Sequence, residues 1–138
     1  MAVRPGVVPR HVAETDEVVF HGGGEVFRLP LTSGAVARQR ALVKGLPKLR
    51  SLLPVAVPAP RWIGVLADRQ TPFTAEPRLP GSVLAEPVGI AAQQWEGVLA
   101  ALDAVSPGEA REWGGLYRPT LLLADEARGV LTGLVEWH

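Results

Sequence analysis

The chain contains no cysteine, carries no net charge and has no long uninterrupted apolar segment. The lack of cysteine excludes disulfides and thiolate metal sites, and it fits a reducing compartment. Fourteen basic side chains cancel fourteen acidic ones. Because the sequence also has no basic stripe interleaved with aromatic residues, no nucleic-acid partner is expected. The three histidines are scattered, with no pair at helical spacing for a zinc ion.

Membrane and export signals are also lacking. The uncharged stretches, such as residues 51–60, are interrupted by proline, and none approaches the roughly 20 apolar residues of a membrane helix. Residues 1–9 hold one arginine and no apolar core of a signal peptide. The sequence therefore predicts a cytoplasmic protein without a membrane partner. Its 138 residues, 47% of them apolar and 20% charged, are typical of a globular domain.

The first half of the sequence alternates strand and helix patterns. Residues 1–17 predict a loose lead-in or an edge strand, and residues 18–21 and 25–29 predict two strands joined by a turn of three glycines. A helix capped by Thr32 or Ser33 is predicted over about residues 35–53, with Pro47 breaking or kinking it near residues 45–46. A proline-rich connector and strands at 62–66 and 72–76 follow.

The second half predicts one helix and one hairpin. Apolar residues at helical spacing indicate a helix over about residues 87–105, stopped by Ser-Pro-Gly at 106–108. The hairpin consists of strands at 121–124 and 130–137. A sheet flanked by a helix, then a further helix and hairpin, is an α+β outline.

Three stretches of sequence carry a resemblance to a known family. The first pairs Glu-Val-Phe-Arg-Leu-Pro at 25–30 with Val-Ala-Arg-Gln-Arg-Ala-Leu at 36–42. The second is the proline-rich segment at 53–64, and the third runs from 121 to 137 and ends in Val-Glu-Trp. In this order they resemble the third strand and its helix, the entry to the fourth strand, and the metal-binding hairpin of the aminoglycoside phosphotransferases.

This resemblance implies a protein-kinase-like fold in abbreviated form. A kinase-like N-terminal lobe, an antiparallel sheet plus a helix, is expected at residues 1–80. A truncated C-terminal lobe, a helix plus a β-hairpin, is expected at 81–138, with both lobes in one compact unit. Only residues 103–116 stand where the family places several helices and a catalytic loop. The second helix and the last hairpin are therefore expected to expose an apolar face.

The resemblance also suggests nucleotide-binding residues. It places the cation that contacts the phosphates at Arg28, although an ordinary edge-strand arginine is an equally good interpretation. The carboxylate that normally holds this cation is replaced by the uncharged Gln39. The hinge that would hold a purine ring maps to Glu76, Pro77, Arg78 and Leu79, where Pro77 has no amide proton to donate. The glycine run at 22–24 is interpreted as a turn, because the family's phosphate-covering loop would lie within residues 9–17, which lack glycine.

The catalytic and metal-binding positions depart from the family pattern. The stretch at 115–120 has neither the histidine nor the aspartate that orients the acceptor hydroxyl, so no catalytic residue is assigned. The metal ligands fall at Thr120 and Glu136, and a glutamate oxygen can still bind Mg²⁺. Since each ~1.4 kcal/mol of lost transition-state stabilisation lowers a rate tenfold, efficient turnover is not expected.

The resemblance thus implies a protein related to ATP-dependent small-molecule kinases, with weak or lost phosphotransfer activity. ATP and Mg²⁺ are the cofactors expected if binding is retained, and a nucleotide and a hydroxylated small molecule are the expected partners. If the protein is an active enzyme, it transfers a phosphoryl group to a small-molecule hydroxyl. The alternatives are a non-catalytic interaction module that forms a homodimer, or a gene remnant.

Overall fold

The computed structural model describes residues 8–13, 16–67 and 70–138, the first of these ranges by its backbone alone. In these ranges the chain forms eight strands and three helices. The elements are β1 Val8–Ala13, β2 Glu17–Gly22, β3 Glu25–Pro30, α1 Ser33–Arg50, β4 Arg61–Val65, β5 Pro72–Pro77, β6 Ser82–Leu84, α2 Gly89–Asp103, α3 Pro107–Glu112, β7 Pro119–Asp125 and β8 Val130–Trp137. The predicted edge strand near the start is β1, whereas residues 1–7 lie outside the described ranges.

The first sheet has five antiparallel strands in the order β1-β2-β3-β5-β4. The β2–β3 hairpin closes where Gly22 pairs with Glu25. Between them, Gly23 and Gly24 adopt φ values of +59° and +75°. Two successive positive φ values make a hairpin turn that follows the twist of the strands, and glycine adopts them without strain. The prediction of a structural glycine turn is confirmed.

Helix α1 begins after Thr32, whose hydroxyl accepts a hydrogen bond from the amide of Ala35. This confirms the predicted cap. Of the predicted break or kink, the break is wrong, because the helix continues through Pro47 and ends at Arg50, whereas a kink stays a prediction. Leu46 and Leu49, on either side of the proline, are almost fully buried, and this packing outweighs the loss of one backbone hydrogen bond.

The segment at residues 82–112 differs from the prediction in three ways. Helix α2 is shorter than expected, and a short strand, β6, precedes it. The expected stop after α2 is itself the start of α3, because Ser106 accepts from the amide of Glu109 and Pro107 occupies the first turn. The Ser-Pro-Gly-Glu sequence is a capping box, and the helix-start pattern was therefore present in the sequence.

The second sheet has the order β6-β7-β8, with all neighbours antiparallel. It confirms the last predicted hairpin, in which β7 and β8 pair from Pro119–Trp137 to Asp125–Val130. Two hydrogen bonds join this sheet to earlier parts of the chain. The amide of Leu134 donates to the carbonyl of Ala56, and the hydroxyl of Thr132 donates to the carbonyl of Pro80.

One hydrophobic core spans both parts of the chain. It contains leucines of α1, Val55 and Val57 of the connector, Val98 and Leu102 of α2, and Trp137 of β8. Val98 and Leu102 are completely buried, so most of the apolar face of α2 is covered. The apolar exposure expected over residues 88–105 is found at the start of the helix, at Val88 and Ile90. Among the described residues no helix is long and apolar enough to span a bilayer.

Candidate functional site: a caged arginine at the end of a cleft

The strand register brings charged side chains to one face of the first sheet. Val19 of β2 lies opposite Arg28 of β3, and Arg28 lies opposite Thr74 of β5. Because side chains on one face recur every second residue, Glu17 and Glu76 share the face of Arg28. Arg28 is on a strand next to the helix that carries Gln39, as the family resemblance requires.

Arg28 is held by three carboxylates, and we call these four residues the Arg28 cluster. Its Nε donates to Oε1 of Glu76 at 2.8 Å, and its Nη1 donates to Oε1 of Glu17 at 3.2 Å. Glu136 of β8 accepts from both terminal nitrogens, from Nη1 at 2.9 Å and from Nη2 at 3.0 Å. These bonds use four of the five guanidinium N–H groups. The interpretation of Arg28 as an ordinary edge-strand arginine is therefore wrong, since β3 is a central strand and the side chain is in an ion-pair network.

The cluster is removed from solvent. The side chains of Arg28, Glu17 and Glu76 are 8%, 4% and 5% exposed, and that of Glu136 is 17% exposed. Burial alone would lower the pKa of Arg28, but the attraction of Glu76, Glu136 and Glu17 outweighs it and raises that pKa. Burial raises the pKa of Glu76, and Arg28 offsets part of this shift. The guanidinium therefore stays charged at every accessible pH.

Glu136 reaches the cluster from an unusual backbone conformation. Its φ is +55°, in the left-handed region that costs a non-glycine residue about 1–2 kcal/mol. The paired contact of both carboxylate oxygens with Arg28 compensates for this strain, because forked guanidinium–carboxylate pairs are among the stronger hydrogen bonds. Glu136 also ties the second sheet to the first, since Arg28 belongs to β3.

Neighbouring polar residues fix the cluster in place. Gln39 does not contact Arg28 in the way that the usual helix carboxylate would; its Nε2 donates to the hydroxyl of Thr74 at 2.7 Å, and both side chains are buried. This bond joins α1 to the strand that carries Glu76. Arg38 of α1 pairs with Asp16 at 2.7 Å and lies 3.8 Å from Oε2 of Glu17. Counting Arg38 and Asp16, two guanidinium groups face four carboxylates, so the surroundings of Arg28 are acidic.

A cleft of about 290 Å³ opens between the two sheets. The hinge residues Glu76, Arg78 and Leu79 lie along it, and the Arg28 cluster lines it through Arg28, Glu76 and Glu136. Apolar side chains from both sheets complete the lining: Val26, Val83, Leu121, Leu123 and Val135. The volume and the mixture of apolar walls with a few polar groups are those of a small-molecule site.

The hinge offers few backbone donors. The amide of Arg78 donates to the carbonyl of Gly24 at 2.9 Å, which joins the hinge to the glycine turn. Pro77 has no amide proton, which leaves Leu79 as the candidate donor to a bound ring. The side chain of Leu79 packs closely against Gly133, where an added Cβ would lie 2.9 Å from Cδ1 of that leucine. The hinge is therefore pressed against the second sheet.

The candidate metal ligands are engaged with other groups. The hydroxyl of Thr120 donates to the backbone carbonyl of Glu136 at 2.6 Å, and both carboxylate oxygens of Glu136 accept from Arg28. Ligand atoms of Glu17, Glu136 and His138 lie within 4.8 Å of one another, a grouping that the sequence did not suggest. As arranged, these residues do not fit Mg²⁺, which requires carboxylate oxygens free to complete an octahedron. The assignment of Thr120 and Glu136 as metal ligands stays a prediction.

Two residues of the cluster were not expected in these positions. Glu17 is not marked by the family resemblance, and Glu76 is suggested as part of the hinge rather than as a partner of Arg28. A signal was present in the sequence, because each is a glutamate in a short strand whose other residues carry no carboxylate or guanidinium group. An isolated buried carboxylate needs a cationic partner, and Arg28 occupies the same face of the adjoining strands.

Comparison with known proteins supports the kinase-like fold. No protein-family model matches the sequence, and no curated protein matches it. Among solved structures, the GDP and kanamycin complex of APH(2")-IIia is similar with a TM-score of 0.69 and 15% identity, over 96% of this chain and 68% of that chain. The GDP complex of wild-type aminoglycoside 2'-phosphotransferase-IIIa is similar with a TM-score of 0.63 and 21% identity, over 80% of this chain and 41% of that one.

At these identities the likeness establishes the fold alone. The protein is an α+β protein with the antiparallel sheet and helix of a kinase-like N-terminal lobe and an abbreviated C-terminal lobe. The fold predicted from the sequence is confirmed. The lobe boundary at residue 80 stays a prediction, and the continuous core crosses it.

Proposed function

We propose that the protein is an aminoglycoside phosphotransferase-like relative of the small-molecule kinases that binds a nucleoside or nucleotide in its cleft and has weak or lost phosphotransfer activity. The observation that carries the proposal is the Arg28 cluster, which lines the cleft through Arg28, Glu76 and Glu136. Arg28 occupies the strand position of a phosphate-contacting cation, but four of its N–H groups are already bound to Glu17, Glu76 and Glu136.

The base of the ligand is proposed to lie between the apolar walls of the cleft. Val26 of the first sheet and Leu121, Leu123 and Val135 of the second line the same space, and a planar ring between them would bury apolar surface on both sides. The hinge residues Glu76, Arg78 and Leu79 run along this space, where Leu79 is the candidate amide donor. Gln39 holds β5 in position through Thr74.

Phosphoryl transfer also requires a group that orients the acceptor hydroxyl. In the segment from the end of α2 to the start of β7, Asp103 pairs with Arg118 at the surface, and residues 113–119 contain no carboxylate or histidine. Glu109 is bound to the cap of α3 through Ser106, and Glu112 is exposed at the end of α3 and does not line the cleft. The chemistry for efficient transfer is therefore incomplete, and no step through Mg²⁺ is assigned because Glu136 is committed to Arg28.

Ligand binding and turnover test the two parts of the proposal separately. The neighbouring solved proteins are GDP complexes, and one also contains kanamycin, so guanine and adenine ligands and kanamycin are the first compounds to use. Calorimetry is expected to detect binding of a purine nucleoside or nucleotide, and ligand at 100 times its dissociation constant should stabilise the protein by about 2.7 kcal/mol. ADP or GDP formation with kanamycin and Mg²⁺ is expected to stay at background.

Two results would contradict the proposal. The first is no detectable binding of any purine nucleoside or nucleotide at millimolar concentration. The second is robust Mg²⁺-dependent turnover that Glu136→Ala abolishes and that the matched surface variant Glu96→Ala retains. Glu96 is exposed on α2 and does not line the cleft, so it controls for the loss of a glutamate as such.

A second candidate function, an interaction module, is favoured by the surface of β4. This strand is at the edge of the first sheet, and Trp62, Ile63 and Val65 are 36%, 42% and 53% exposed. An exposed apolar edge strand can pair with a second chain. A homodimer through this edge predicts a dimer in analytical ultracentrifugation that Ile63→Lys dissociates and Ile90→Lys, on the exposed start of α2, does not. A monomer at high concentration excludes it.

A further inference from the structure

The charge of the Arg28 cluster has a consequence for ligand choice. Arg28, Glu76 and Glu136 line the cleft, and Glu17 pairs with Arg28 without lining it. Arg38 pairs with Asp16 and lies 3.8 Å from Glu17. With these two residues included, two guanidinium groups face four carboxylates, so the charge around Arg28 is negative and stays negative if one carboxyl takes up a proton.

Arg78 also lines the cleft, and its charge does not reverse this balance. It lies at the hinge and is exposed, so water and salt screen its charge. By contrast, the buried carboxylates of the Arg28 cluster are screened little, because charges in a low-dielectric environment interact more strongly than charges at the surface.

A phosphate cannot make a forked contact with Arg28 without displacing a carboxylate. Four of its five N–H groups are bound, and a forked contact to phosphate requires two of them. Glu136 is the most exposed of the three carboxylates and the one that holds both terminal nitrogens. It is therefore the carboxylate that an incoming phosphate reaches most easily, and after displacement it would remain close to the incoming anion.

We infer that the Arg28 cluster makes the cleft selective for a ligand without phosphate, a purine nucleoside rather than its 5′-triphosphate, and that Glu136 is the residue that determines this selectivity. This inference rests on the proposed function, since it concerns the same cleft. It assigns Glu136 a role in ligand discrimination that is the reverse of the phosphate attraction expected of a kinase site.

The test compares matched ligands on the full chain by isothermal titration calorimetry. Adenosine and guanosine are compared with ATP and GTP in buffer with EDTA, so that no divalent cation neutralises the phosphates. The wild-type protein is expected to bind the better nucleoside at least tenfold more tightly than the corresponding triphosphate. Glu136→Gln keeps the shape and one acceptor oxygen, removes one charge, and should narrow this ratio by about tenfold. The control Glu96→Gln, on the exposed surface of α2, should leave the ratio unchanged.

The outcomes separate the inference from the proposal on which it rests. Tighter binding of the triphosphate than of the nucleoside by the wild-type protein would overturn the inference and leave the cleft as a nucleotide site. An unchanged ratio in Glu136→Gln, with a folded protein by circular dichroism, would overturn the role of Glu136. No binding of any of the four compounds would overturn both the proposed function and the inference. If Glu136→Gln does not fold, Glu136→Asp, which withdraws the charge by one methylene, should narrow the ratio in the same direction.

Discussion

Removal of the Arg28 guanidinium should destabilise the protein more than the loss of any surface ion pair. In Arg28→Leu, three carboxylates that are 4%, 5% and 17% exposed would lose their common cation. Breaking a buried ion pair by removing one partner typically costs about 3–5 kcal/mol, because the other charge remains buried without compensation. Against a total stability of about 5–15 kcal/mol for a domain, this loss should be visible in urea unfolding at neutral pH.

Arg61→Leu is the matched control for this measurement. Arg61 pairs with Glu25 at 2.7 Å, but its side chain is 53% exposed. An exposed pair of this kind contributes about 0–1 kcal/mol, although its distance is as short as that of any pair around Arg28. If Arg28→Leu lowers the free energy of unfolding more than Arg61→Leu does, the cause is therefore the burial of the Arg28 pairs and not a shorter contact.

A rescue variant separates charge from packing. Combining Arg28→Leu with Glu17→Met, Glu76→Met and Glu136→Met removes the uncompensated charges, and most of the lost stability should return, because apolar replacement of a whole buried ion cluster is often nearly neutral. The reasoning would be refuted if the free energy of unfolding of Arg28→Leu were within about 1 kcal/mol of the wild-type value. It would also be refuted if the combined variant were less stable than Arg28→Leu alone.

Three further changes test other parts of the structure by the same unfolding measurement. Gln39→Leu leaves the buried hydroxyl of Thr74 without its 2.7 Å donor and should cost about 1–3 kcal/mol; an effect no larger than that of Gln93→Leu at the surface would contradict this. Gly81→Ala should cost about 1–3 kcal/mol or more, because φ is +111° and an added Cβ would collide with the hydroxyl of Thr132, whereas Gly89→Ala, with φ +58° but open space, should cost less. Since burial raises the pKa of Glu76 in the folded state, protonation of Glu76 stabilises the fold below that pKa and this contribution is lost as pH rises through it. Glu76→Gln should therefore gain less stability than the wild type when pH falls from neutrality towards 4.5, the ordinary glutamate value; an equal gain would exclude a raised pKa.

Local patterns in the sequence were enough to predict most of the elements. The glycine run between two β-rich segments predicts the β2–β3 hairpin, because two positive φ values are required there. The helix over residues 33–50 follows from apolar spacing and the Thr32 cap. The patterns were insufficient where tertiary packing decides. Pro47 is tolerated because Leu46 and Leu49 are buried beside it, and β6 forms because Ser82–Leu84 finds β7 as a neighbour.

The candidate site was predicted in part, and the reason lies in sequence separation. The resemblance identifies Arg28, Gln39 and Glu136 as residues of one region, but it does not predict that Arg28 binds Glu136. These two residues are 108 positions apart, and Arg28 and Glu76 are 48 apart. The first contact depends on how the two sheets pack and the second on how β3 and β5 pair, and a single sequence carries only the weaker indication that a buried carboxylate must find a cation.

Ligand choice and stability are coupled through the same hydrogen bonds. Glu136 holds Arg28 with two bonds and so joins the second sheet to the first, and an anionic ligand that takes its place would break these bonds. The free energy of displacing Glu136, whose φ of +55° would then lose the contact that compensates for its strain, is subtracted from the affinity for a phosphate at that position. A nucleoside that stops short of Arg28 avoids this cost and leaves the two sheets tied together. A substitution at Glu136 that improves phosphate binding should for this reason also lower the free energy of unfolding.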